Sequence, residues 1–228
     1  MATILVTGAG RGLGAEFARQ FAADGWRVIA TVRDLQAGAK LAALGPAVEV
    51  HQLDVRDGAA IARLGQELEG QAIDVLLSNA GLYGPEDGGS FAACDHRTWH
   101  EVMEVNVMAP LALARAFVGQ VAASKRKAMV MVTSRMGSID DNTGGGAYIY
   151  RSSKAALNMV AKSLSVDLRP RGIAVIVVHP GWVRTDMGGA SAPLSPKESI
   201  GGLKRLIEGL SLQQSGGFFN YDGTPLPW

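Results

Sequence analysis

Thr3-Ile4-Leu5-Val6-Thr7-Gly8-Ala9-Gly10-Arg11-Gly12-Leu13-Gly14 is the stretch that decides the fold. Its first five residues form a short apolar, β-rich run, which reads as a buried strand. Four glycines at alternate positions follow. From Ala15 to Ala23 the apolar residues then recur at helical spacing, until Gly25 stops the pattern. Strand, glycine loop and helix in that order form the setting in which a backbone cradles a pyrophosphate. Glycine permits the tight turn and the close approach, and the helix N-terminus attracts the anion. A glycine cluster alone would be an ordinary turn. Its flanks give Gly8, Arg11, Gly12, Leu13 and Gly14 a nucleotide-binding reading.

The same alternation continues outward. Residues 28–32, 48–53, 73–77, 128–132, 173–178 and 217–221 read as further strands. Helical patterns cover 61–68, 98–123, 147–168 and 196–210, and Pro110 is expected to kink the second of these or free a backbone group in it. The glycine-rich segment 82–93 reads as irregular. Seven strands alternating with helices predict an α/β fold: one domain over 1–228, built on a mostly parallel, doubly wound sheet with helices on both faces. A chain of 228 residues with 47% hydrophobic content fits one such domain. The formal net charge of +1 gives no electrostatic case for nucleic acid or an anionic membrane. Cys94 is the only cysteine, so no intrachain disulfide is possible, which suits a reducing cytoplasm. No signal-peptide pattern opens the chain, and no stretch approaches a membrane-spanning length.

The ends of the strands carry the candidate site, since ligands of parallel sheets bind at the carboxyl edge. After the second strand come Arg33 and Asp34. An arginine there accommodates a ribose 2′-phosphate, and Arg11 lies in the loop nearby; together they favour NADP, while Asp34 keeps NAD possible. Asp54, followed by Val55, either accepts from an adenine amino group or caps a helix starting near Arg56. Asn79, Ala80 and Gly81 are small enough to let a cofactor lie flat against the backbone. Ser134 ends the fifth strand. Tyr150 and Lys154 lie four residues apart on one helical face, where an ammonium pulls the phenol down from its usual pKa of about 10. A phenol tuned this way exchanges a proton near neutral pH. Tyr148 points to another face. Asn106, polar in an apolar run, needs hydrogen bonds and reads on its own as a structural amide at the kink. Tyr83, Met136, Trp182 and Met187 fall near strand ends and are candidates for an apolar substrate pocket, although such residues are often plain packing. His96 and His100 have metal-ligand spacing but lack a third ligand, so no metal site is expected.

These motifs, in this order, resemble the short-chain dehydrogenase/reductase family. Thr7-Gly8 with Gly12 and Gly14 is similar to its cofactor loop, and Asn79-Ala80-Gly81 to its sheet-stabilising motif. Asn106, Ser134, Tyr150 and Lys154 are similar to its catalytic tetrad, and Pro180-Gly181, with Val183 and Thr185, to its turn beside the nicotinamide. Ser134 to Ser138, Tyr150 to Asn158 and the ending Phe218 to Gly223 resemble the C-factor/sniffer-type carbonyl reductases. Ser78 departs from the further Asn of many members, and the segment after Met187 is short for a substrate lid. The resemblance implies a Rossmann fold and NADPH-dependent reduction of a small apolar or aromatic ketone, aldehyde or quinone. Tyr150 would act as the acid, Ser134 would hold the reacting oxygen, and Lys154 would hold the nicotinamide ribose. Asn106 would fix a water leading from Lys154 to solvent. The resemblance also implies homodimers or homotetramers, paired through the two long apolar helices. Oxidation of an alcohol, or an NADP-binding signalling or sensor protein with little turnover, are the alternatives.

Overall fold

The computed structural model describes residues 1–86 and 88–228; Asp87, inside the 82–93 segment expected to be irregular, lies outside the described residues. Seven strands, β1 (Thr3–Val6), β2 (Arg27–Val32), β3 (Val48–Gln52), β4 (Val75–Ser78), β5 (Ala128–Val132), β6 (Ala174–His179) and β7 (Phe218–Asn220), form one sheet. Their order is β3-β2-β1-β4-β5-β6-β7, and each neighbouring pair runs parallel. The intervening helices are α1 (Gly12–Ala23), α2 (Leu35–Ala42), α3 (Gly58–Glu67), α4 (His96–Met103), α5 (Ala109–Ala122), α6 (Tyr148–Asp167) and α7 (Pro196–Glu208).

Successive strand residues point to opposite faces, and a parallel sheet covered on both sides buries both sets. Leu5, Ile29, Leu76, Met129 and Val177 pack against Ile61 of α3, Leu113 and Phe117 of α5, and Leu157 of α6. Their neighbours Ile4, Val28, Leu77, Val130 and Val178 pack against Phe17 and Phe21 of α1 and Leu203 of α7. The two layers leave only the strand ends open, and the site forms there.

Several local expectations change. The helix expected over 98–123 is two helices joined by a π-helical turn, Glu104–Met108. Pro110 follows that turn inside a run that stays helical, and its ring removes one N–H from the ladder there. α2 was not foreseen; Asp34 caps it by accepting from the Gln36 N–H at 2.9 Å. Asp57, not Asp54, caps α3, accepting from the Ala60 N–H at 2.9 Å. Finally, the helical run His96–Ala122, at 27 residues, is long and apolar enough to cross a membrane by length and composition. The expectation that no stretch reached that length is therefore corrected. Its apolar residues Val105, Leu113, Phe117 and Val121 are buried in the core, a use that composition alone cannot distinguish from a membrane span.

Candidate active site

From β1 the chain moves one way along the sheet to β2 and β3, then returns to the far side of β1 as β4. Such a reversal leaves a crevice at the carboxyl ends of the two central strands. A groove of about 380 Å³ opens there. Gly8, Gly10, Arg11, Gly12, Leu13 and Gly14 form its floor at one end, with Arg33, Asp34, Asp54, Val55 and Arg56 along the wall. Asn79, Ala80, Gly81, Thr133, Tyr150 and Lys154 line the other end, and Pro180, Thr185, Asp186 and Met187 close over it.

The glycine end is built by close backbone approach. A Cβ on Gly14 would lie 2.2 Å from the Gly8 carbonyl oxygen, and one on Gly8, at φ +66°, would lie 2.9 Å from Ala80 Cα. Asn79 ties the two central strands together. Its Nδ2 donates to the Thr7 carbonyl at 2.9 Å, and its backbone N–H donates to Thr7 Oγ1 at 3.0 Å. At the start of α1, Arg11 provides no side-chain cap. Among the described residues no side-chain oxygen accepts from the first-turn N–H groups of α1, and Gly12, Leu13 and Gly14 border the groove. That arrangement suits the pyrophosphate of a dinucleotide. Arg11 reaches across the groove to Asp186, Nη1 to Oδ2 2.6 Å, and both side chains are exposed. Arg33 stands in the wall beside Asp34, whose carboxylate is taken up by the α2 cap. Asp54 accepts from the Arg56 N–H and guanidinium, which holds its carboxyl below the usual range.

The other end carries the ionisable pair. α6 begins on Ala147 in the left-handed region, φ +47°, a conformation uncommon for alanine. Its first N–H groups donate to the Gly88 and Gly89 carbonyls, so a distant loop fixes how the helix starts. Tyr150 and Lys154 are both buried, and the Lys154 Nζ lies 5.7 Å from the Tyr150 ring centroid. Nζ donates to the Val132 carbonyl at 3.0 Å. The expected lowering of the phenol is overturned. Burial pushes Tyr150 up to about 12, outweighing the Ser134 hydroxyl that hydrogen-bonds it and acts to lower it; the neighbouring Tyr83 adds to the rise. Burial also pulls Lys154 down to about 8. Removal from water disfavours either charged form.

Asn106 lies inside the π-turn and is fully buried. Its Oδ1 accepts from the Leu82 N–H at 2.8 Å, and its Nδ2 donates to the Leu82 carbonyl at 2.8 Å and to Ser153 Oγ at 3.0 Å. The side chain is thus committed to holding the chain after β4 against α6. Tyr83 packs on Tyr150, ring centroids 4.5 Å apart. Met136 lies two residues after Ser134 in the loop, its N–H donating to Ser134 Oγ at 3.2 Å. Trp182 turns outward, its Nε1 donating to the Gly188 carbonyl at 2.7 Å, and it is not in the groove wall. Gly181 and Val183 also lie outside the wall, as do Tyr83, Asn106, Ser134 and Met136. Gly181 takes φ +81°, the left-handed region that favours glycine, and a Cβ there would also lie 2.4 Å from Leu194 Cδ1. Sequence reasoning missed Asp186 and Arg56, whose signals are adjacency to Thr185 and to Val55. Among the described residues no group of three or more His, Cys, Asp or Glu gathers as metal ligands.

Comparison with known proteins agrees with this geometry. The family model described as short chain dehydrogenase matches residues 2–193. The C-signal of Myxococcus xanthus is 44% identical over 156 residues, covering 68% of this chain and 93% of that protein. The structure of the carbonyl reductase Sniffer of D. melanogaster superposes with a TM-score of 0.92 at 36% identity, covering 100% of both chains. The NADPH-bound carbonyl reductase from chicken fatty liver superposes with a TM-score of 0.90 at 33% identity, covering 100% of this chain and 99% of that one.

Proposed function

Because the chain belongs to the short-chain dehydrogenase/reductase family and is an oxidoreductase acting on CH–OH/C=O groups, we propose that it reduces a small apolar or aromatic carbonyl with NADPH. Ketones, aldehydes and quinones are the substrate class. The observation that carries this reading is a buried Tyr150, hydrogen-bonded by Ser134, at the far end of a groove that starts on the glycine loop. With its pKa raised to about 12 the phenol is protonated at neutral pH, the form a proton donor needs.

When bound, NADPH supplies the hydride, and the chain supplies position and charge. The glycine loop and the α1 N-terminus hold the pyrophosphate. Arg33 would hold the 2′-phosphate, joined by Arg11 once it leaves Asp186. Lys154 holds the nicotinamide ribose. Tyr150 Oη donates its proton to the carbonyl oxygen as the C=O π bond becomes C–H and O–H. Ser134 Oγ hydrogen-bonds the same oxygen and stabilises its developing charge. The Lys154 ammonium stabilises the phenolate that remains, until solvent returns the proton. Tyr83 and Met187 form the apolar wall for the substrate.

The same reading takes the protein as a cytoplasmic homodimer or homotetramer, supported by exposed Met108 and Leu111 on the α4–α5 run and Met159 and Val166 on α6. A second reading is a signalling protein that binds NADP and turns little over, which the name of the Myxococcus relative favours. Cofactor oxidation followed by absorbance, with NADPH and NADH against diverse ketones, aldehydes and quinones, separates the two. Consumption of NADPH in preference to NADH is expected with at least one carbonyl class. Tight NADPH binding without consumption on the whole panel favours the signalling reading.

A further inference from the structure

Ser134 leaves β5 on a short loop whose next residues are gripped from two sides. On the α6 side, a Cβ on Gly137 would lie 2.8 Å from the Lys154 backbone, so the loop rests directly on the helix that carries the ionisable pair. Asn158 of the same helix donates to the Gly137 carbonyl at 3.2 Å and accepts from Thr133 Oγ1 at 2.8 Å. On the other side stands Trp228, 90 residues further along the chain than Ser138. The Trp228 backbone oxygen accepts from Ser138 Oγ at 3.0 Å, from the Ile139 N–H at 2.6 Å and from the Asp140 N–H at 3.2 Å.

The residue that presents this oxygen is itself tied down. Leu226 donates to the Phe218 carbonyl at 2.8 Å, Pro225 bridges Phe219, and the indole packs on Phe218 with ring centroids 5.6 Å apart. The Lys162 ammonium lies 6.0 Å from the indole. A solvated tail would need none of this. Between the grip and Ser134 lies only one tight 3₁₀ turn, Arg135–Gly137, so a shift at Ser138 has little slack in which to dissipate.

We propose that Trp228 is a positioning residue for the reaction. By collecting three donors from residues 138–140, it fixes the loop that carries Ser134 in register with Tyr150. The inference rests on the carbonyl-reductase reading above. Misplacing a reacting group by about 1 Å costs on the order of a hundredfold in rate, so the grip matters even though it never touches substrate.

The test compares the wild type with a chain ending at Leu226, with Trp228→Ala and Trp228→Phe, and with each change combined with Ser134→Ala. Turnover, NADPH affinity by fluorescence, and hydrogen exchange at the Ile139 and Asp140 amides are read for all. Removing Pro227 and Trp228 is expected to lower kcat roughly ten- to a hundredfold and to speed exchange at both amides, leaving NADPH affinity within about twofold. Trp228→Phe is expected to recover most of what Trp228→Ala loses. In the Ser134→Ala background the deletion is expected to cost little more, because both changes act on one group. If the deletion does not fold, Ser138→Ala, which removes one of the three donors, reports the same coupling on a smaller scale. Equal costs with and without Ser134, or unchanged kcat in a wild type that turns over, overturn the inference alone. A wild type that turns over no carbonyl overturns the reading of function and this inference with it.

Discussion

Lys154 is 4% exposed, and its Nζ donates to the Val132 carbonyl at 3.0 Å. Burial takes its pKa down to about 8, from the value near 10.5 that an unfolded chain shows. Between these values the unfolded chain binds more protons than the folded one, so this residue makes stability rise with pH across about 8 to 10.5. Below about pH 8 the ammonium is charged in both states, and the full cost of burying it is present. Catalysis responds with the opposite sign. The ammonium is the form that stabilises a phenolate, while Tyr150, pushed up to about 12, stays protonated throughout. The expected kcat/KM for carbonyl reduction is level below about pH 8 and falls above it. Lys154→Met is expected to be slow and without that break. A wild-type profile still level at about pH 10 would remove Lys154 from the step. The sequence made the pair legible through its spacing, but not the direction of the phenol shift. Spacing reports that Tyr150 and Lys154 share a helix face; the shift follows from how deeply the finished fold buries them.

The elements that build the groove are tight where glycine permits it. Gly14 lies within the first turn of α1, and a Cβ there would lie 2.2 Å from the Gly8 carbonyl oxygen and 2.7 Å from Asn79 Nδ2. Gly14→Ala must therefore move the loop that cradles the pyrophosphate or the asparagine that locks β1 to β4. An order-of-magnitude or greater loss of NADPH affinity is expected by titration calorimetry; unchanged affinity would contradict the cradle. This element was legible, because its strand, loop and helix are contiguous in sequence, although Asn79 and Ala80 press on it from just beyond β4. α2 was not. Its Gly38 reads as a breaker, yet a Cβ there would meet Val50 Cγ1 at 2.6 Å, so the glycine serves contact with β3. Its capping Asp34 also competed with a second, functional reading. The π-turn at Glu104–Met108 was hidden for a related reason. Pro110 marks a disturbance, but only the tertiary demand for Asn106 to reach Leu82 and Ser153 says where the helix widens.

On the scale of the whole molecule, sheet order brings the site together. Strand ends far apart in sequence converge because β4 returns beside β1, and the motifs read singly along the chain become one groove. The alternation of strands and helices made the parallel sheet and its ligand-binding edge legible, but not the order that returns β4 beside β1. Contacts between remote loops were not legible either, because no local pattern encodes them. The Arg11–Asp186 pair across the groove is one example, and the Trp228 oxygen on residues 138–140 is another. The account depends most on the phenol of Tyr150 delivering the proton, and removing that one oxygen tests it most directly. Tyr150→Phe is expected to lower carbonyl reduction by orders of magnitude while NADPH still binds within a few-fold of the wild type. Turnover near the wild-type level in that variant would contradict the account.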